Sequence, residues 1–255
     1  MELKDLALLS NGSLRGDSLE VSEFSIDTRS IKKGEVYIAI EGQNFDGHDF
    51  IEDAEKKGAK AIIVSREVSS SLPLIVVNNT LDFMEVIAVH NRSSFSGNVI
   101  GITGTNGKTT SKQILSSLLS KIHKTHKTDG NKNNHIGVPF SMLTMENLYK
   151  SSVIEIGTNQ VGEIKNLTNL VKPNIAAITN VSSSHLQGLR DTDSIADEKG
   201  DILEFYDSNG IAVLPRDSSY FKFWCSKTNS KKIVSFGIHE DSDFKVVNPS
   251  IDIEN

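Results

Sequence analysis

The stretch Thr103-Gly104-Thr105-Asn106-Gly107-Lys108-Thr109-Thr110 decides how the rest of the chain is read. It follows an apolar run, residues 99–103, that reads as a buried strand. It precedes residues 109–122, which read as a helix with Ile114, Leu115, Leu118, Leu119 and Ile122 on one face. A glycine-rich turn between strand and helix is the setting of a phosphate-binding loop. Glycines let backbone N–H groups turn inward around phosphate oxygens, and the helix N-terminus adds partial positive charge. In this reading Gly104, Thr105, Asn106, Gly107 and Thr110 belong to the cradle. Lys108 reaches the β- and γ-phosphates, and the Thr109 hydroxyl coordinates Mg²⁺. The match to G-x-x-x-x-G-K-[ST] is imperfect, because Ile102 stands where the first glycine is usual. The competing reading is a glycine turn capped by threonines.

Downstream of the loop, strands at 152–156, 175–180 and 211–214 alternate with helices at 162–171 and 192–206. That alternation predicts an α/β fold with a mainly parallel sheet covered by helices. Ligands then bind at the carboxyl ends of the strands. Polar clusters fall there, after Thr103, Ile156 and Asn180. Upstream, strands at 35–40, 61–65 and 74–77 mix with helices at 49–57 and 80–90. A small, polar stretch, residues 91–97, then marks a boundary. The expected organisation is a small N-terminal α/β domain, 1–96, and a central domain, 97–255.

The 255 residues fit one or two domains. With 27 Lys+Arg against 33 Asp+Glu, the formal net charge is −6, a poor match for a phosphate-backbone binder of nucleic acid. The single cysteine, Cys225, excludes an internal disulfide and a Cys-based zinc site. No apolar run approaches the ~18–20 residues of a membrane span. The expectation is a cytoplasmic protein, with monomer as the default state.

Three further residues stand out. Glu155 ends an apolar strand, where a buried carboxylate needs a partner or a metal; the alternative is an acid pointing into solvent. His185 follows the strand at 175–180 and reads as a metal ligand, a phosphate contact or a plain loop histidine. Lys199 lies on the apolar stripe of its helix, four residues after Ile195 and three before Ile202. A lysine so placed ordinarily snorkels outward. The other reading is an inward lysine drawn towards phosphate, or one chemically modified there.

Together these residues resemble the Mur ligases, ATP-dependent amide-forming enzymes of peptidoglycan synthesis. The resemblance runs from about Phe24 to the C-terminus. The run from Asp129 through Asn131-Lys132-Asn133-Asn134 to Ile136-Gly137-Val138-Pro139 is similar to a G-N-x-N-N-x-I-G-V-P signature. Glu155-Ile156-Gly157-Thr158-Asn159-Gln160-Val161-Gly162-Glu163-Ile164 resembles E-M-G-A-N-x-x-G-E-I. Both belong to the family member that adds D-alanyl-D-alanine to UDP-MurNAc-tripeptide. Ser25-Ile26-Asp27-Thr28-Arg29 and the segment from Gly42 to Asp49 look like the family's uridine-nucleotide loops.

The resemblance implies a set of roles. Thr28, Gln43, Asn44 and Phe45 would lie close to the UDP moiety, and Asn134 would join the ATP-binding set. Lys108, Glu155, His185 and Lys199 would be catalytic. Thr109 and Glu155 would hold one magnesium; His185 and Lys199, the lysine these ligases carbamylate with CO₂, would hold a second. There are departures: Gln187 stands where the family usually has Glu, Ser184 replaces a frequent Ala, and Pro215 replaces an Asn that contacts adenine. The implied reaction activates the tripeptide carboxylate as an acyl phosphate, which the amine of D-alanyl-D-alanine then attacks. The rivals are the third-residue ligase, a folylpolyglutamate-type synthetase, a generic P-loop kinase, and a nucleotide- and UDP-sugar-binding fragment with no activity alone. The family has three domains, so this length predicts an incomplete central domain, an absent C-terminal ligase domain and a separately encoded C-terminal partner.

Overall fold

The computed structural model of the chain describes residues 1–42, 44–182, 191–204 and 209–247. It divides into two compact units: Met1–Phe95 with Met142–Glu146, and Ser96–Ser141 with the chain from Asn147 onward.

The first unit holds α1 (Leu3–Leu9), β1 (Ser13–Arg15), β2 (Phe24–Ser25), β3 (Val36–Ile38), α2 (Ile51–Lys56), β4 (Ala61–Val64), β5 (Leu74–Val76) and α3 (Thr80–Ser94). Its sheet runs β1-β5-β4-β3-β2. Strands β2 to β5 are parallel to their neighbours, and β1 closes the edge antiparallel to β5. Every residue of β4 is buried, the mark of a strand covered on both faces. Tyr37, Ile62, Val64 and Leu74 pack with Ile51 and Ala54 of α2. Asn79 starts α3 by accepting hydrogen bonds from the backbone N–H groups of Leu81 (2.7 Å) and Asp82 (3.3 Å). This helix runs to Ser94, four residues beyond the expected end at His90 and into the stretch read as a boundary. Polar residues alone do not stop a helix; glycine or proline does, and none comes before Gly97.

The second unit holds β6 (Asn98–Thr103), α4 (Lys108–Leu119), β7 (Thr125–Lys127), α5 (Gly137–Met142), β8 (Ser151–Glu155), α6 (Glu163–Val171), β9 (Ile175–Ile178), α7 (Thr192–Gly200), β10 (Ile211–Pro215), α8 (Phe221–Lys227), β11 (Lys232–Gly237) and β12 (Phe244–Lys245). Its sheet is parallel throughout, in the order β12-β11-β10-β9-β6-β8-β7. Strand β6 lies between β8 and β9, so chain order reverses on its two sides. The crevice at its carboxyl end is the ligand position of an open parallel sheet. Helix α7 stops at Gly200 and continues as a tight turn, Asp201–Leu203, instead of running on towards Tyr206, which lies outside the described residues. Trp224 of α8 is fully buried and donates through Nε1 to the carbonyl oxygen of Ala196 (2.9 Å), pinning α8 to α7.

Helix α4 corrects the expected apolar face. Leu115 and Leu119 pack on Ile100, Ile102 and Val153 as expected. Ile114, Leu118 and Ile122, however, are 58%, 62% and 80% exposed. Lys112 and Ser116 take the inward positions instead. At 100° per residue, 112, 115, 116 and 119 share one face, 118 lies on its flank and 114 on the opposite side; Ile122 follows the helix, which ends at Leu119, three residues short of the expected end. The buried charge of Lys112, which has a partner inside, sets the phase of the helix.

Candidate functional site

Strand β6 delivers Thr103 to the crevice, and the chain then turns at Gly104 with φ +146. A Cβ on Gly104 would lie 1.9 Å from Thr179 Oγ1, so only glycine fits. The end of β9 clamps the loop. The Asn180 carbonyl accepts from Thr105 N–H (2.9 Å) and the Asn180 side-chain oxygen from Asn106 N–H (3.0 Å). The Thr179 hydroxyl donates to the Asn106 carbonyl (2.6 Å). Gly107, at φ +79, precedes the first turn of α4. Asn106, Thr109 and Thr110 are exposed around the turn. Lys108 folds back over it, donating from Nζ to the carbonyls of Gly104 (2.8 Å) and Thr105 (2.9 Å). Burial lowers its pKa, and the nearby Glu155 charge works against that shift.

Glu155 ends β8 and is 1% exposed, so it does not point into solvent. Register pairs it with Ile102 on β6, one residue before the loop begins. The Thr109 hydroxyl lies 3.0 and 2.9 Å from its two carboxylate oxygens. Asn133 Nδ2 donates to Oε1 (2.8 Å), and Lys112 Nζ lies 3.0 Å from Oε2. Lys112 and Asn133 were not singled out from the sequence. Lys112 carried one signal, its position one helical turn after Lys108. Asn133 carried none that separated it from its neighbour Asn134. Asn134 faces α5 instead, accepting from the backbone N–H groups of Ile136 (3.2 Å) and Gly137 (2.8 Å). Among the described residues, no three His, Cys, Asp or Glu side chains gather into a metal-binding cluster.

Lys199 is 4% exposed, so it does not snorkel. Burial, and after it the charge of Lys108, pulls its pKa down to about 8, with Glu198 opposing. Glu198 is itself buried, accepting from the backbone N–H groups of Gly162 (2.6 Å) and Ile164 (2.8 Å) at the start of α6. In the first unit, Thr28 is buried and its carbonyl accepts from Lys57 Nζ (2.7 Å). Asn44 and Phe45 are exposed in a turn closed by Gly42 N–H donating to the Phe45 carbonyl (2.9 Å), with Phe45 76% exposed. Next to them Asp46 is held by His48 Nδ1 (2.6 Å) and Arg66 (2.7 Å). His185 and Gln43 lie outside the described residues.

A parallel sheet with a glycine-punctuated strand-to-helix turn at its switch point is a phosphate-loop α/β fold. The Mur ligase middle domain matches residues 102–252, and the pattern described as Mur ligase family, catalytic domain, matches residues 20–93. The chain belongs to the Mur ligase family. The UDP-N-acetylmuramoyl-tripeptide–D-alanyl-D-alanine ligase of Escherichia coli (strain K12) is 34% identical over 96% of this chain and 55% of its own length. The crystal structure of MurF from Acinetobacter baumannii superposes with a TM-score of 0.82 at 29% identity, covering 92% of this chain and 52% of that one. That of MurF ligase from Thermotoga maritima in complex with ADP gives 0.72 at 32% identity, covering 86% and 51%. The chain spans about half the length of the curated relatives it matches.

Proposed function

We propose that this chain supplies the UDP-substrate and ATP-phosphate parts of a cytoplasmic ligase that joins D-alanyl-D-alanine to UDP-MurNAc-tripeptide. The observation that carries the reading is the Thr109–Glu155 pair beside the glycine loop, a hydroxyl and a carboxylate at 2.9–3.0 Å. Relatives at 31–36% identity bear the name of this ligase, which favours it over the third-residue and folate-type alternatives.

In this reading the first unit carries the UDP contacts. Thr28 and the turn at Gln43, Asn44 and Phe45 hold the uridine nucleotide. The exposed Phe45 ring suits stacking on a base. The second unit binds ATP. Backbone N–H groups of Gly104 to Thr110 and the start of α4 hold the phosphates, with Lys108 swinging from its own loop carbonyls onto the β- and γ-phosphates. The terminal carboxylate of the tripeptide then attacks the γ-phosphorus, and the bond to the β-phosphate oxygen breaks, leaving ADP and an acyl phosphate. The amine of D-alanyl-D-alanine attacks the acyl carbon, phosphate leaves, and the amine's proton passes to solvent. The protein's part is alignment and charge neutralisation.

Thr109 and Glu155 are hard oxygen donors that already converge, as a magnesium site requires. They would hold the ion, which would offset charge on the phosphates. Lys199 and His185 would serve a second ion once Lys199 is carbamylated. The lowered pKa of Lys199 leaves more of the neutral amine, the form that reacts with CO₂. The test supplies ATP, Mg²⁺, UDP-MurNAc-tripeptide and D-alanyl-D-alanine to the chain, alone and with a separately expressed C-terminal domain. Mass spectrometry should find the UDP-MurNAc-pentapeptide and an equal amount of phosphate. In a parallel reaction that offers the dipeptide precursor and a single third amino acid instead, joining of that amino acid, with no D-alanyl-D-alanine joined to the tripeptide, would overturn the assignment.

A further inference from the structure

Lys112 has no part in the reading above, yet its side chain is completely buried. Its ammonium lies 3.0 Å from Glu155 Oε2 and donates to the carbonyl oxygen of Gly130. The helix that presents Lys108 and Thr109 to the loop thus presents a second cation to the same carboxylate, where Lys112 and the Thr109 hydroxyl (2.9 Å) share the Oε2 atom. Three segments meet at this ammonium: the start of α4, the turn at Gly130, and the end of β8. The turn is tied to β8 again by Asn133, which donates to Glu155 (2.8 Å) and accepts from Gly157 N–H (2.8 Å). A buried ion pair is weak evidence for stability, because desolvating both charges offsets much of their attraction. Its location against a carboxylate that also meets Thr109 calls for another role.

We propose that Lys112 is a positioning residue. It holds Glu155 against the phosphate loop and, by neutralising that carboxylate, makes divalent-cation binding at Thr109 and Glu155 conditional on nucleotide phosphate. The inference rests on the reading of those two residues as the metal's ligands. A divalent cation approaching Thr109 meets an ion pair of zero net charge, with the Lys108 ammonium on the neighbouring loop. Two protein oxygens fall short of the ~6 a magnesium-like ion takes, the remainder coming from water and phosphate. Nucleotide phosphates bring both the missing oxygens and the missing negative charge.

The test follows Mn²⁺ binding by electron paramagnetic resonance. It compares the wild-type chain with Lys112→Met, Lys112→Gln and Glu155→Gln, with and without ADP, corrected for Mn²⁺ held by ADP alone. Wild type should bind Mn²⁺ only with ADP. The Lys112 variants should bind it without nucleotide, at least about tenfold more tightly than wild type does. Wild-type binding that is equally tight without ADP overturns the proposal, and this arm needs no variant to fold. So do folded Lys112 variants, checked by thermal melting, that gain no nucleotide-independent binding. ADP-dependent binding that survives unchanged in Glu155→Gln instead removes the metal-ligand reading on which the inference rests.

Discussion

Replacing Lys199 by methionine keeps an unbranched stem in a closed space and removes a charge that the fold holds at a cost. Burial, and then the Lys108 charge, lowers the Lys199 pKa from 10.5 to about 8. Between those values the unfolded chain carries the proton and the folded chain has released it. The unfolded state binds more protons in that window, so stability rises with pH through it, and the penalty is fully present below about pH 8. At 1.36 kcal/mol per unit the whole window is worth about 3 kcal/mol, of which about 2 kcal/mol is recovered by pH 9.5. Urea unfolding of both proteins in CO₂-free buffer, from pH 7 to 9.5, measures it. The methionine variant should be the more stable at pH 7, and its lead should shrink by about 2 kcal/mol across the range. A difference that does not change with pH would refute the reasoning, for it would place the ammonium in water.

Other consequences follow from single contacts. Gly104→Ala sets a Cβ against Thr179 Oγ1 at φ +146 and should destabilise the chain by about 2–4 kcal/mol in urea unfolding. Leu118→Glu should change stability by less than about 0.5 kcal/mol and Leu115→Glu should cost several, because α4 exposes the first and buries much of the second; equal costs would mean the helix is rotated from the position described. Burial holds the His126 pKa down to about 4 from 6.5, so the unfolded chain takes up the proton first as pH falls. Stability is therefore lost between about pH 6.5 and 4, and in His126→Gln the acid limb of the stability curve should be shallower by up to about 3 kcal/mol.

Much of this architecture was readable because its signals are local. The glycines at 104 and 107, the alternation after residue 97 and the proline at 173 each act within a few residues, and the parallel sheet follows from them. The phase of α4 was not readable. Counting apolar residues puts Ile114, Leu118 and Ile122 inside, but the ion pair between Lys112 and Glu155, far along the chain, turns the helix away from that solution. Lys199 shows the same limit. Its place on the stripe was visible, while its burial depends on the packing of α7, where Trp224 of a later helix reaches the Ala196 carbonyl. Asn133 and Asn134 are adjacent and chemically identical, and only the path of the turn decides which one reaches Glu155.

Everything proposed for the second unit depends on residues 103–110 holding ATP phosphates through Lys108. Isothermal titration of a non-hydrolysable ATP analogue with Mg²⁺ into the wild-type chain and Lys108→Ala tests it most directly. Saturable one-to-one binding to wild type is expected, with a loss of at least about tenfold in the variant, as charge-assisted contacts to phosphate disappear. Equal affinity in a folded Lys108→Ala protein would contradict it.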